Sequence, residues 1–237
     1  EVGGTFTDLV ASDGYQIKTA KVPSTPSKPD EGAMNAIRAA ELDISQIKEL
    51  VHGSTVATNA VLERKGGRVC LFVTKGTRDI LLLQRHDRRS IYDLHYKKPE
   101  PVVARYDTYE IKERISPDGA IVLDIDEDHA REQIKTALRD GRFDSAAICF
   151  LHSYTNSRHE RLLKELIQQE FPSLPITCSC DVTREFREYE RASTTTLAAY
   201  VQPVIAGYIK RFSASLTKQG FKGRFSIMQS NGGRMPA

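Results

Sequence analysis

Two continuous apolar runs, Val69 to Val73 and Ala146 to Leu151, leave few folds open to this sequence. Each has the length of a strand and lacks the polar–apolar alternation of a half-solvated one, so both read as strands buried on two faces. The flanking sequence changes to helical period. Residues 127–140 and 157–170 read as helices that alternate with strands at 145–151 and 175–179. Helices must cover such strands, and the fold class expected is α/β with a mixed sheet.

The rest of the chain extends the alternation. Phe6 to Ala11 and Tyr15 to Val22 flank Ser12-Asp13-Gly14 and read as antiparallel partners. A loop from Pro23 to Pro29 leads to Asp30, the expected N-cap of a helix with Ala33, Ile37 and Ala40 on one face. After a short capped segment at Ser45 come a strand, Leu50 to Gly53, and a helix over about 55–65 that Gly66-Gly67 stops. Thr77 to Leu83 reads as a short helix and 84–105 as an extended loop. Tyr106 to Ile115 and Ala120 to Leu123 flank Ser116-Pro117-Asp118-Gly119 as a hairpin. Helical sequence resumes at Arg184 and runs to Gln219, with Pro203 as a kink or break, before a last strand from Arg224 to Met228.

At 237 residues the chain has room for one large domain or two small ones. Its 34 Lys and Arg against 31 Asp and Glu leave a net charge of +3, too little for the footprint of a nucleic-acid binder. No apolar run approaches the ~20 residues that span a bilayer. Neither nucleic acid nor a membrane is therefore an expected partner. Cys70 and Cys149 sit inside the apolar strands as small hydrophobes, and Cys178 and Cys180 lack the second ligand pair of a zinc site. A reducing, cytoplasmic compartment fits this usage. The chain opens at Glu1, where a recognisable motif starts, rather than at Met, and is expected to be a piece of a longer protein.

That motif, Glu1-Val2-Gly3-Gly4-Thr5-Phe6-Thr7-Asp8, carries the most chemistry. Adjacent glycines permit positive φ and let backbone N–H groups approach a ligand, as in an anion-binding nest. Thr5 and Thr7 add hydroxyls, and the carboxylates of Glu1 and Asp8 are suited to Mg²⁺, directly or through water. A plain β-hairpin with a Gly-Gly turn has the same local pattern. The turn lies between two strands and lacks the lysine of GxxxxGK[ST], so it is not a Walker loop. The strand–turn–strand arrangement with Gly-Gly-Thr resembles the first phosphate loop of the actin/hexokinase/Hsp70 ATPase superfamily. The fuller string Val2 to Asp8 resembles one branch of it, the hydantoinase A/5-oxoprolinase family. Further strings resemble the same family in the same order: His52-Gly-Ser-Thr-Val-Ala-Thr-Asn-Ala-Val-Leu-Glu-Arg64, Lys75-Gly-Thr-Arg-Asp79, Tyr92-Asp-Leu94, Cys149-Phe-Leu-His-Ser-Tyr154, Glu185-Phe-Arg-Glu-Tyr-Glu-Arg-Ala-Ser193 and Met228-Gln-Ser-Asn-Gly-Gly233.

The resemblance implies a ribonuclease H-like (actin-like ATPase) amino-terminal lobe with a mixed sheet and an α/β insertion, its regions dividing as 1–180 and 181–237. It implies part of an ATP-dependent hydrolase that opens a cyclic amide of the 5-oxoproline or hydantoin type. Phosphorylation of the amide oxygen turns an inert lactam into an electrophile that water attacks. Gly3, Gly4, Thr5 and Thr7 would bind phosphate, Glu1 and Asp8 would hold Mg²⁺ or Mn²⁺, and His52, Ser54, Thr55 and Asn59 would line the catalytic site. The alternatives are an ATP-dependent ketone carboxylase subunit and a non-catalytic nucleotide-binding subunit. The second phosphate loop and the adenine site would belong to residues beyond this chain. Implied partners are the cyclic amide, a hydantoinase B-like subunit or fused domain, and further copies in an oligomer. The family string begins with Asp where this chain has Glu1, and usually has Thr in place of Ser54.

Other segments keep two readings. Ser54 or Thr55 caps a helix with Thr58 and Asn59 one turn in, either presenting N–H groups to a pocket or capping in the ordinary way beside a structural His52. Arg85, His86, Arg88 and Arg89 form a solvated basic loop or a clamp for a substrate carboxylate. Where the family tends to read Arg-Pro, this chain reads Arg88-Arg89-Ser-Ile-Tyr-Asp-Leu. Arginines and glutamates at helical spacing from Arg184 to Arg191 form a solvated ion-pair face. In the family's terms they instead line a cleft through Glu188, Glu190 and Arg191. Ser230-Asn231-Gly232-Gly233 is a ligand loop at a strand's carboxyl end or a simple turn.

Overall fold

A computed structural model describes residues 1–237 apart from His86, Arg88 and Arg89. The chain packs as two compact units, Glu1–Lys65 with Val204–Ala237, and Gly66–Pro203. These packing units are drawn along other lines than the sequence regions 1–180 and 181–237, because the polypeptide leaves the first unit and returns to it.

In the first unit β1 (Phe6–Ser12) and β2 (Ile17–Pro23) pair antiparallel, with Phe6 opposite Pro23 and Ser12 opposite Ile17. Helix α1 (Pro29–Ala39) begins with Pro29 at its first position, where a missing N–H costs nothing. Asp30 is consequently not the cap: it lies buried in the first turn, 3.2 Å from the Arg211 guanidinium. The short turn Ile44–Gln46 is capped by Asp43, which accepts from the Ser45 amide, and not by Ser45. β3 (Glu49–His52) runs parallel to β10 (Arg224–Met228), which pairs antiparallel with β11 (Arg234–Pro236). Val2, Ala33, Ile37, Phe212 and Leu216 form the core of this unit. Helix α2 (Val56–Leu62) is shorter than expected, ending where Arg64 takes a φ of 55°.

The glycines expected to stop α2 serve the second unit. A Cβ on Gly66 would overlap the Tyr200 ring, and the Gly67 amide donates to the Tyr200 carbonyl at 2.8 Å. The sheet here is fully parallel in the order β5-β4-β8-β9, formed by β4 (Val69–Thr74), β5 (Thr108–Ile111), β8 (Ser145–Cys149) and β9 (Ile176–Cys178). Every residue of the two central strands β4 and β8 is buried, as their continuous apolar runs require. Beside the one-turn helices α3 (Ile80–Leu83) and α6 (Ser179–Val182), the longer α4 (Glu127–Leu138) and α5 (Arg158–Glu170) bring Ile134, Leu138, Leu163 and Ile167 to the core around Phe72 and Ile148. All four cysteines are buried and free.

Two departures from expectation have physical causes. The hairpin expected over Tyr106–Leu123 divides: β5 joins the parallel sheet, and only β6 (Arg114–Ile115) pairs with β7 (Ile121–Leu123). The break falls at Glu113, whose buried carboxylate turns inward to Thr74 and His159. Helix α7 (Glu188–Lys218) starts later than Arg184 and passes through Pro203 unbroken. Proline cannot donate to the carbonyl four residues back. The Ser145 hydroxyl donates to that carbonyl, on Ala199, at 2.8 Å instead. Among the described residues no helix is long and apolar enough to cross a membrane.

Candidate functional site

Val2 to Thr7 folds back on itself: Val2 bridges Thr7 in antiparallel fashion and Ser54 in parallel. The Val2 amide donates to the Gly53 carbonyl at 2.9 Å, and the Gly3 amide to the Phe6 carbonyl at 3.0 Å. Neither Gly3 nor Gly4 takes the positive φ expected of them. Glycine is needed at position 3 for a different reason, since a Cβ there would lie 3.0 Å from the Phe6 carbonyl oxygen. Gly4 and Thr5 are exposed, and among the described residues their amides and the Thr5 hydroxyl have no partner. These are donors poised for an anion.

The other side of the turn is closed by Ser24. Its amide donates to the Thr5 carbonyl at 2.9 Å, its hydroxyl donates to the Gly3 carbonyl at 2.8 Å, and it shares a 3.0 Å hydrogen bond with the Thr7 hydroxyl. Thr7 is 2% exposed, so its hydroxyl braces the turn rather than facing outward. Ser24 is the residue that sequence reasoning passed over, because a serine in a Pro-rich loop reads as a connector. Only its place next to the last residue of β2 brings it under the turn.

Helix α2 starts against the same turn. Thr55 stands at the N-cap without a side-chain capping bond, and the Ser54 hydroxyl just before it accepts from the Val56 amide at 3.1 Å. The Thr55 hydroxyl donates to the Val2 carbonyl at 3.4 Å and accepts from Asn59 Nδ2 at 3.3 Å. That pins the Asn59 amide beside Gly4, 3.7 Å from where a Cβ would stand. Thr58 is exposed. Gly3, Gly4, Thr5, Ser54, Thr55 and Asn59 are therefore neighbours around one turn.

His52 is placed differently. At the end of β3 it is buried, with Nε2 hydrogen-bonded to the Tyr208 hydroxyl and its ring 5.0 Å from that of Phe212. Burial lowers its pKa to about 4, so the ring is neutral near pH 7. Burial likewise pushes the Tyr208 hydroxyl up to about 12. Glu1 and Asp8 are exposed and linked by the Asp8 amide donating to the Glu1 carbonyl at 2.9 Å. The Asp8 carboxylate lies 3.1 Å from Lys21 Nζ across the hairpin. Among the described residues no three His, Cys, Asp or Glu side chains converge as a metal site. A pair of carboxylates nonetheless suits Mg²⁺, which keeps several waters and takes one or two protein carboxylates beside phosphates.

In the second unit, His86, Arg88 and Arg89 of the basic cluster lie outside the described residues. Arg85 is already engaged: its Nε donates to Glu190 at 2.7 Å and its guanidinium lies over the Tyr189 ring. Glu188 is half-buried, as is Glu190, while Arg191 has no exposure at all and is not part of a solvated face. Its guanidinium donates to the Phe150 carbonyl at 2.6 Å and to the hydroxyls of Ser153 and Ser179. Glu160, equally buried, accepts from the Phe150 amide at 2.9 Å, the Ser179 hydroxyl at 2.6 Å and the Cys180 amide at 3.0 Å. Ser230 to Gly233 connects β10 to β11 as a turn, with the Gly232 amide donating to the Gln229 carbonyl at 2.9 Å.

Residues 1–171 match the hydantoinase/oxoprolinase N-terminal region, and residues 191–237 match hydantoinase/oxoprolinase. The chain is 30% identical over 256 residues to the acetophenone carboxylase gamma subunit of Aromatoleum aromaticum, across 98% of this chain and 35% of that one. It is 32% identical over 277 residues to a 5-oxoprolinase of Saccharomyces cerevisiae, across 98% of this chain and 21% of that one. The solved structure of the ATP-dependent caprolactamase from Pseudomonas jessenii superposes with a TM-score of 0.87 at 30% identity, across 99% of this chain and 36% of the other. The chain thus spans roughly a fifth to a third of the length of these proteins. Since the N-terminal family match starts at the Gly-Gly-Thr turn and takes in α2 and the strands β4, β5 and β8 of the parallel sheet, this chain belongs to the hydantoinase/oxoprolinase family.

Proposed function

We propose that this chain supplies the first phosphate-binding turn of an ATP-dependent enzyme that opens small cyclic amides of the 5-oxoproline or hydantoin type. The carrying observation is the exposed, unpartnered set of donors formed by the Gly4 and Thr5 amides and the Thr5 hydroxyl. Phosphoryl transfer asks a protein mainly for fixed donors and charge neutralisation. Thr5 and the two amides hold a phosphate, Thr7 and Ser24 keep the turn closed from behind, and Asn59, pinned by Thr55, adds a side-chain donor. Ser54 fixes the start of α2, and His52 positions the end of β3 as a neutral ring. Glu1 and Asp8 hold Mg²⁺ or Mn²⁺ through water, with Lys21 balancing Asp8. ATP, when bound, supplies the phosphoryl group that activates the amide oxygen.

On this reading the first unit is a ribonuclease H-like lobe carrying the second as an α/β insertion, and 1–180 and 181–237 are its family-level regions. The remaining phosphate and adenine contacts come from residues beyond this chain, and a hydantoinase B-like subunit or fused domain completes an oligomeric enzyme. The relatives named as subunits support that assembly. Four free, buried cysteines support a cytoplasmic setting. Carboxylation of a ketone is the second reading, favoured by the likeness to the acetophenone carboxylase gamma subunit. Steady-state ATP turnover by the whole protein separates them. Stimulation by lactams or hydantoins is the expected result, stimulation by ketone with bicarbonate would replace it, and ATP binding without turnover would leave a nucleotide-binding subunit.

A further inference from the structure

Tyr208, on α7, is 3% exposed and carries its hydroxyl into the interior of the first unit. Its ring stacks on that of Phe212, with centroids 6.3 Å apart and planes 9° from parallel, and lies 5.7 Å from the His52 ring. A phenylalanine would fill that space as well, and burying a hydroxyl is costly unless it is hydrogen-bonded. Among the described residues its oxygen meets two groups. One is Nε2 of His52, at the end of β3. The other is the Ser54 hydroxyl, whose hydrogen bond works against the rise that burial causes in the Tyr208 pKa.

Counting protons gives these bonds a direction. A backbone N–H can only donate, so the Ser54 oxygen accepts from the Val56 amide at 3.1 Å and keeps its own proton to give. Among the described residues the Ser54 hydroxyl has no acceptor besides the Tyr208 oxygen, so the proton goes there. Tyr208 then donates its own proton to His52 Nε2. The neutral His52 ring is left with its proton on Nδ1. Run in reverse, the chain would leave the Ser54 proton without an acceptor in the protein. The serine end of the chain is also the junction that holds the site. Ser54 bridges Val2, the residue before Gly3, and precedes Thr55, whose hydroxyl bonds both the Val2 carbonyl and Asn59. A shift at Ser54 is therefore passed to the Gly3–Thr7 turn on one side and to Asn59, beside Gly4, on the other.

We propose that Tyr208 is a positioning residue of the phosphate site, the central link of a one-way hydrogen-bond chain from the Val56 amide through Ser54 and Tyr208 to His52. The chain holds the junction of β3 and α2 and thereby sets the Gly4, Thr5 and Asn59 donors. It also leaves Ser54 without a proton for a ligand, so Ser54 holds its place and does not bind phosphate, which only accepts. The role in turnover rests on the phosphate-binding reading above, whereas the order of the chain does not.

Two measurements on the whole protein test this. Nitrogen NMR of isotope-labelled histidines near pH 7 is expected to show His52 protonated on Nδ1, with Nε2 accepting. Tyr208→Phe keeps the ring and should abolish that preference. In ATP turnover, Tyr208→Phe and Ser54→Ala should each lower kcat by up to about a hundredfold, the cost of a small misplacement in a site. KM for ATP should stay where it is, because what is lost is alignment in the transition state. The double variant should be no slower than the slower single one, since the two hydroxyls act as one unit. His52 protonated on Nε2 in the unaltered protein would reverse the chain and overturn the proposal. So would an unchanged kcat in Tyr208→Phe, or two single effects that simply multiply. A whole protein that turns over no ATP would fail the phosphate-binding reading, and with it the role of Tyr208, while the Nδ1 tautomer would still establish the order of the chain.

Discussion

The turn at Gly3–Thr7 and the web around Arg191 are both rich in polar groups that the family strings single out, yet they use them in opposite ways. At the turn, the Gly4 and Thr5 donors are exposed and without partners among the described residues, while Ser24 and Thr7 make their hydrogen bonds on the rear side. Around Arg191, donors and acceptors are turned inward and spent on one another: guanidinium to Phe150, Ser153 and Ser179, and Glu160 to Phe150, Ser179 and Cys180. Among the buried side-chain donors and acceptors of the described residues, only Arg191 Nε lacks a partner. A ligand site keeps free capacity. A structural web has one buried N–H at most to offer, and it pins α7 to the loops that follow β8 and β9.

The largest effect should therefore come from the web. Arg191→Met in the whole protein removes one charge from a fully buried network and leaves Ser153, Ser179 and the Phe150 carbonyl short of a donor. Breaking a buried charged network from one side costs about 3–5 kcal/mol. Urea unfolding should show a much lower midpoint, or the protein should fail to accumulate. A variant with wild-type stability and no ATP turnover would break the contrast, because Arg191 would then belong to the chemistry.

Thr5→Val tests the opposite pole. Removing one donor to developing charge typically costs ~2.7–4 kcal/mol in the barrier, whereas exposed substitutions shift stability by no more than about 0.5 kcal/mol. ATP turnover should fall about 10²- to 10³-fold in a protein whose unfolding curve is unchanged. Wild-type kinetics would mean that the open donors of the turn bind no phosphate that matters.

Much of this contrast was legible in the residues, and its limits have a physical pattern. The apolar runs at Val69 and Ala146 showed the central strands because burial on both faces leaves no polar position. That Val2 to Thr7 turns back on itself was legible from the adjacent glycines, while the positive φ expected of them was not found. What stayed hidden depended on partners distant in sequence. Pro203 looked like a break because the hydroxyl that serves Ala199 comes from Ser145. Arg191 read as part of a solvated face or of a cleft lining because the groups that take its hydrogen bonds, on Phe150, Ser153 and Ser179, are none of them on its own helix. Ser24 was unreadable until β-pairing set it under Gly3.

Two buried histidines give the same contrast a pH signature. His52 sits among aromatic rings, and burial depresses its folded pKa from 6.5 to about 4. Between those values the unfolded chain binds the proton and the folded chain does not, so stability falls as pH drops through this window. The full loss is about 3 kcal/mol, at roughly 1.4 kcal/mol per unit. For His159, burial is the largest single influence and acts to lower the pKa. Glu113 at 2.7 Å and Asp124 at 2.9 Å outweigh it and hold the folded pKa above the ordinary value. Its contribution is complete below pH 6.5 and is lost as pH rises through the raised value. Unfolding free energies measured from pH 4 to 9 should show both limbs. His52→Asn should flatten only the acid limb, and His159→Gln only the alkaline one. A variant that flattened the other limb would reverse the assignment.

The smallest expected effect is at Glu1, at the open end of the scale. Its stem passes over Gly53, where a Cβ would lie 3.7 Å from Glu1 Cγ, and its carboxylate is exposed. Nothing buried depends on it, so Glu1→Asp should leave the unfolding midpoint where it is. What the change can move is metal preference. Asp withdraws the carboxylate by one methylene, and Mg²⁺ demands near-octahedral geometry at about 2.0–2.1 Å, whereas Mn²⁺ sites are built from the same oxygen donors with different preferences. Parallel Mg²⁺ and Mn²⁺ titrations of ATP turnover in the whole protein and its Glu1→Asp variant should show a shifted ratio of the two half-saturating concentrations. An unchanged ratio would mean that a bridging water absorbs the extra methylene. On the proposed function, metal binding would then depend on Asp8, whose carboxylate lies 3.1 Å from Lys21 Nζ.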